Sequence, residues 1–142
     1  MTIRALLFAW LLCGSAFAEQ AQTFGDVEVH YNVMPTSSLL PEVARAYKIE
    51  RSDNRGLLTI SVVRKNPLGV GEPVKAEVKA TAANLSAQFT TIRMRELKEA
   101  AAIYYLGEFR VSPPETLRFT VNVKPAGHGQ THTLEFQQQF YR

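Results

Sequence analysis

Reactive side chains are scarce in this sequence. Its 142 residues include one cysteine, Cys13, and one tryptophan, Trp10, both near the N-terminus. Beyond that start there is no thiol nucleophile, no thiolate metal site and no disulfide. Long apolar runs are also lacking: Ala5 to Cys13 is nine residues, against the roughly 20 that a membrane-spanning helix needs. Neither sign of charge dominates, with 16 Lys and Arg, 13 Asp and Glu and a formal net charge of +3. That balance gives no reason to expect nucleic acid as a partner. No G-x-S-x-G or S-x-x-K motif points to nucleophilic catalysis. No internal repeat or Met-rich tract is present.

The N-terminus is a different kind of segment. Arg4, the apolar run and the small residues Ala16-Phe17-Ala18 read as a signal peptide cleaved after Ala18. Leu12 before Cys13 does not suit lipidation. Removing 18 residues leaves 124, enough for a single domain, residues 19–142, with one core. The mature chain would be periplasmic and not membrane-spanning.

Past Phe24 the dominant period is two. Val74, Ala76, Val78 and Ala80 alternate with Lys75, Glu77, Lys79 and Thr81, and Leu117, Phe119, Val121 and Val123 alternate with Arg118, Thr120, Asn122 and Lys124. Leu134, Phe136 and Phe140 share a face. Residues 57–65, 89–97, 103–111 and 45–51 (RAYKIER) read as further strands, about seven to eight in all. Asn66 to Pro73, Ser112 to Pro114 and Pro125 to Gly129 read as loops. LLPEVARA, residues 39–46, suits a short helical turn with Pro41 at its first position. ELKEAAA, residues 96–102, is expected to be a loop or single turn, and residues 19–23 a frayed start. These features predict an all-β, immunoglobulin-like two-sheet antiparallel sandwich without a disulfide, with a small barrel as the alternative.

The stretch FGDVEVHYNVMP, residues 24–35, carries the candidate chemistry. Val27, Val29, Tyr31 and Val33 should face a core, leaving Asp26, Glu28, His30 and Asn32 on the other side as a candidate binding set. His30 is expected to bond within this cluster, to Asp26 or Asn32, in a structural role without tight metal binding. One alternative is a copper or zinc carrier using Glu28, His30, Met34, His128 and His132. Another is a hydrolase using Asp26 and Glu28 as paired carboxylates. Tyr104 and Tyr105 are candidate exposed aromatics, though packing in the core or at its rim is the plainer reading. The leading expectation is a non-catalytic binding or assembly module. It would have no cofactor, and its partner would be an unidentified protein or envelope ligand.

The segments F-G-D-V-E-V-H-Y-N (24–32), L-P-E-V-A-R-A-Y-K-I-E-R-S (40–52) and F-Q-Q-Q-F-Y (136–141) resemble a family of short exported bacterial proteins, domain of unknown function 4426. The resemblance spans nearly all of the mature chain and implies a Gram-negative periplasmic setting. It brings no catalytic or binding residues with it.

Overall fold

The alternation of apolar and polar residues becomes two antiparallel sheets packed face to face in the computed structural model, which describes residues 20–127 and 129–142. The expected leader and His128 lie outside the described residues. In chain order the strands are β1 (Gln20–Phe24), β2 (Val27–Pro35), β3 (Arg55–Lys65), β4 (Gly71–Pro73), β5 (Ala76–Ala83), β6 (Phe89–Ile92), β7 (Met94–Glu99), β8 (Ala102–Arg110), β9 (Glu115–Pro125) and β10 (His132–Phe140). A 3-10 turn, Thr36–Ser38, and one short helix, α1 (Pro41–Ala46), lie between β2 and β3. The first sheet runs β1-β2-β3-β8-β7 with β4 beside β3, and the second runs β10-β9-β5-β6. The two share no ladder, so this is an open sandwich rather than a closed barrel.

Period two explains the core. Val27, Val29 and Val33 on β2, Leu58, Ile60 and Val62 on β3, and Leu117, Phe119, Val121 and Val123 on β9 are all buried. Their polar neighbours in sequence point outward. An aromatic column joins the sheets: Tyr31 stacks on Phe136 with centroids 4.4 Å apart, Phe136 on Phe119 at 5.2 Å, and Phe109 meets Phe119 edge-on at 5.1 Å. Offset and edge-on pairs are the favourable ring geometries. Each large apolar side chain buried this way contributes about 1.5–3 kcal/mol.

Four local expectations are corrected. Residues 20–24 are not frayed but pair with β2 as an edge strand. The loop after Lys65 holds the three-residue β4. ELKEAAA is mostly strand: β7 pairs with β8 from Met94↔Gly107 to Glu99↔Ala102, and only residues 100–101 turn, with Ala100 at a φ of +49°. Its helix formers are overridden because Leu97 packs on the sheet while charged residues protect an edge. Residues 45–51 are not a strand. The helix at Pro41 ends near Tyr47, Lys48 takes a φ of +56°, and Tyr47 and Ile49 then pack onto the first sheet without joining a ladder. The alternation there records packing, not pairing.

Residues 89–97 form two strands in different sheets. The chain crosses between them at Arg93, and Gly107 makes the crossing possible: a Cβ there would overlap the Met94 sulfur and lie 2.5 Å from Ile92 Cγ2. Two loops repeat one device. Asn66 Oδ1 accepts the N–H groups of Leu68 and Val70, and Asn84 Oδ1 those of Ser86 and Gln88, all at 3.0 Å.

Candidate functional site

The outward face of β2 is half-exposed, as its alternation requires, but its members do not form one cluster. Asp26 lies in the β1–β2 turn beside Gly25, whose φ is +61°. Its carboxylate sits 3.3 Å from Arg64 Nε, an ion pair without hydrogen-bond alignment. Glu28 is the centre instead: Oε1 is 2.9 Å from His30 Nε2 and Oε2 is 2.6 Å from Lys65 Nζ. The Lys65 hydrogen bond, then the charges of Lys65 and His30, hold the Glu28 carboxyl below the usual carboxylate range despite its partial desolvation. Asn32 lies further along, opposite Thr59 on β3. The expected partners of His30, Asp26 or Asn32, are therefore replaced by Glu28.

Among the described residues, the members of the alternative metal set are not brought together. Met34 packs with Leu57 and Leu106 in a small apolar cluster. His132 belongs to the second sheet and stacks on Phe24, with centroids 4.5 Å apart. Among the described residues, no three His, Cys, Asp or Glu side chains form a group able to hold a metal ion. The two carboxylates of the hydrolase alternative each face a cation, Arg64 for Asp26 and Lys65 for Glu28, and lie in the β1–β2 turn and on the adjoining β2 rather than across a cleft.

A groove on the outside of the first sheet went unrecognised in the sequence. Beyond Asn32 the outward residues turn apolar: Met34 on β2, Leu57 on β3, Leu106 and Tyr104 on β8 and Leu97 on β7. The α1 segment covers them only in part, through Leu39, Val43, Tyr47 and Ile49, leaving a groove of about 260 Å3. Polar contacts hold this cover to the edge strand. The Tyr47 hydroxyl donates to Glu99 Oε1, and the Arg95 guanidinium donates to the Tyr47 carbonyl. That bond to Glu99, with desolvation and the Glu99 charge, pushes the Tyr47 phenol up from 10. Of the two candidate aromatics, Tyr104 lines the groove. Tyr105 is buried in the core, where its hydroxyl accepts the Ala76 N–H at 2.8 Å.

An open, disulfide-free β-sandwich of immunoglobulin-like architecture, with an apolar groove outside one sheet, is the class these observations define. The chain belongs to the family described as Domain of unknown function (DUF4426), whose model matches residues 21–142. A crystal structure of a DUF4426 family protein, PA0388 from Pseudomonas aeruginosa, is 36% identical and superposes with a TM-score of 0.74 over 87% of this chain and 94% of that one. FetP from uropathogenic E. coli, expressed in the E. coli periplasm, has a TM-score of 0.61 at 10% identity, covering 87% of this chain and 94% of its own. A copper-bound variant of FetP gives the same score and identity over 87% and 95%. At that identity the likeness is one of fold alone. No curated protein matches.

Proposed function

We propose that this protein is an exported periplasmic binding module without a catalytic step, its leader removed after Ala18, and that it grips apolar side chains of a protein partner. The groove of about 260 Å3 outside the first sheet carries this reading. An apolar depression with a few convergent polar groups is the default binding site of a domain. Here the apolar centre is edged by Arg95 and Glu99 on one side and leads along β2 to Asn32, His30 and Glu28 on the other. An apolar centre with a polar rim is the anatomy of a protein interface. A photoreactive residue at position 97, introduced in living cells, should give a discrete protein adduct, whereas one at position 133 on the other sheet should not. Equal adducts from both positions would remove the groove from the function.

A second reading, a metal carrier, is favoured by one observation: FetP, a protein of the same fold, has been seen with copper bound. In this chain such a site would start from Glu28 and His30, 2.9 Å apart, and would need ligands from elsewhere, with His128 the remaining histidine of the set. Calorimetric titration with copper and zinc decides it. Sub-micromolar binding abolished by His30→Ala would place the carrier ahead of the binding module.

A further inference from the structure

The second sheet turns its outer face to solvent, and the strand register sets what that face displays. Phe89, Ala83, Arg118 and Gln137 form one row across the four strands, and Thr91, Thr81, Thr120 and Glu135 form the next. Ala83 and the threonines are short, so the face is hollow between its taller side chains, an open depression of about 380 Å3.

Two features set this face apart from an ordinary wet surface. Phe89 is 74% exposed and Leu85, in the loop leading to it, is 85% exposed. That loop is tightly framed: Asn84 Oδ1 accepts two backbone N–H groups, and Asn84 Nδ2 donates to Gln88 Oε1 at 2.7 Å. The apolar pair is thus held out in water by a hydrogen-bonded scaffold, a preorganised presentation. Meanwhile the side chains of Arg118, Glu135 and Gln137 form no ion pair or hydrogen bond with other described residues. They offer a pure donor, a pure acceptor and an amide that is both, and the Arg118 and Glu135 charges offset each other.

We infer that this face is a binding site for a neutral oligosaccharide. A sugar ring has an apolar C–H face and a rim of hydroxyls, each needing a donor and an acceptor. The exposed ring of Phe89 suits the first, and Arg118, Glu135, Gln137 and Thr120 suit the second. Three interstrand spacings separate Phe89 from Gln137, about 14 Å, which is room for more than one ring. The offsetting charges disfavour a polyanion. An acyl chain or apolar peptide would desolvate the polar floor without pairing it, which is costly. The site lies on the opposite outside of the sandwich from the groove in the first sheet and stands independently of it.

The test is a nuclear magnetic resonance titration of the isotope-labelled exported protein with chitotetraose and cellotetraose, beside a heparin tetrasaccharide and a leucine-rich peptide. A neutral sugar should shift the amides of Ala83, Phe89, Arg118 and Gln137. Phe89→Ala and Arg118→Ala should each weaken binding by about tenfold or more, and Lys124→Ala, in the outward pair with Glu77 at the far end of the sheet, should not. Phe89 and Arg118 are exposed, so an unchanged spectrum away from the site will show that the variants fold. Three results would overturn the assignment: no shifts with either neutral sugar at millimolar concentration, tighter binding of heparin or peptide at the same residues, or sugar binding indifferent to Phe89→Ala.

Discussion

Replacing the adjacent residues Val29 and His30 with alanine, one at a time, tests the register on which the description of β2 depends. Val29 is fully buried between the sheets, and the His30 side chain on the opposite face is 27% exposed. Val29→Ala removes two methyl-sized groups, about 1.6 kcal/mol at 0.8 each. The unfilled space raises the cost to about 2.2 kcal/mol, within the range for deletions in a packed core. With a urea slope of about 1.5 kcal/mol/M for a domain of this size, the unfolding midpoint should fall by about 1.5 M. His30→Ala leaves Glu28 its bond to Lys65, 2.6 Å away, and leaves space open to water. Its midpoint should move less than half as far. Urea melts followed by far-ultraviolet circular dichroism at neutral pH measure both. A harmless Val29→Ala, or a His30→Ala as damaging as its neighbour, would mean that β2 is slipped by one residue and every side chain on it faces the wrong way.

Glu28→Gln should flatten the acid side of the stability curve. The folded-state pKa of Glu28 is lowered, so its stabilising effect is complete above the ordinary 4.5 and is lost as pH falls below that through the folded value. Acid melts of the two proteins that run parallel below pH 4.5 would refute this. Gly107→Ala should cost about 1–3 kcal/mol by overpacking, because the new Cβ meets Met94 and Ile92 where the chain changes sheets. An unchanged thermal midpoint would show that the crossing is not that close. Thr36→Val should cost about 1–3 kcal/mol, with Thr36→Ser largely restoring stability. The fully buried Thr36 hydroxyl donates to the Glu50 carbonyl and accepts the Ser52 N–H, each at 2.8 Å. Equal losses from Val and Ser would assign the effect to packing instead.

The strands that were readable from sequence are those that bury one face and wet the other. On β5 and β9, Ala80, Ala82, Phe119 and Val121 are buried while Thr81 and Thr120 sit half-exposed outside, so periodicity alone locates them. The misread segments have another reason to carry their residues. Leu97 faces outward onto the α1 segment, so β7 shows charges on both sides and resembles a helix or turn. Tyr47 and Ile49 alternate because both reach down to a sheet they do not pair with. No local pattern separates a residue that packs on a ladder from one that belongs to it, because the distinction is made by backbone partners distant in the chain.

The polar face of β2 was visible as an alternation, but its ion pairing was not. Lys65 reaches Glu28 only because β3 runs antiparallel in the register Glu28↔Val63, which places Lys65 on the diagonal. The groove did leave a trace. Met34, Leu57, Leu97 and Leu106 are apolar at positions in phase with the polar face of their strands. In a sandwich, an outward apolar row on four strands must be covered by the chain or left for a partner. The chain supplies the α1 segment, from Leu39 to Ile49, which reaches Leu97 and Tyr104 without filling the space beside them, about 260 Å3. An out-of-phase apolar row with an incomplete cover is therefore what the sequence carries of the groove, and the uncovered remainder is where the proposed partner's side chains would bind.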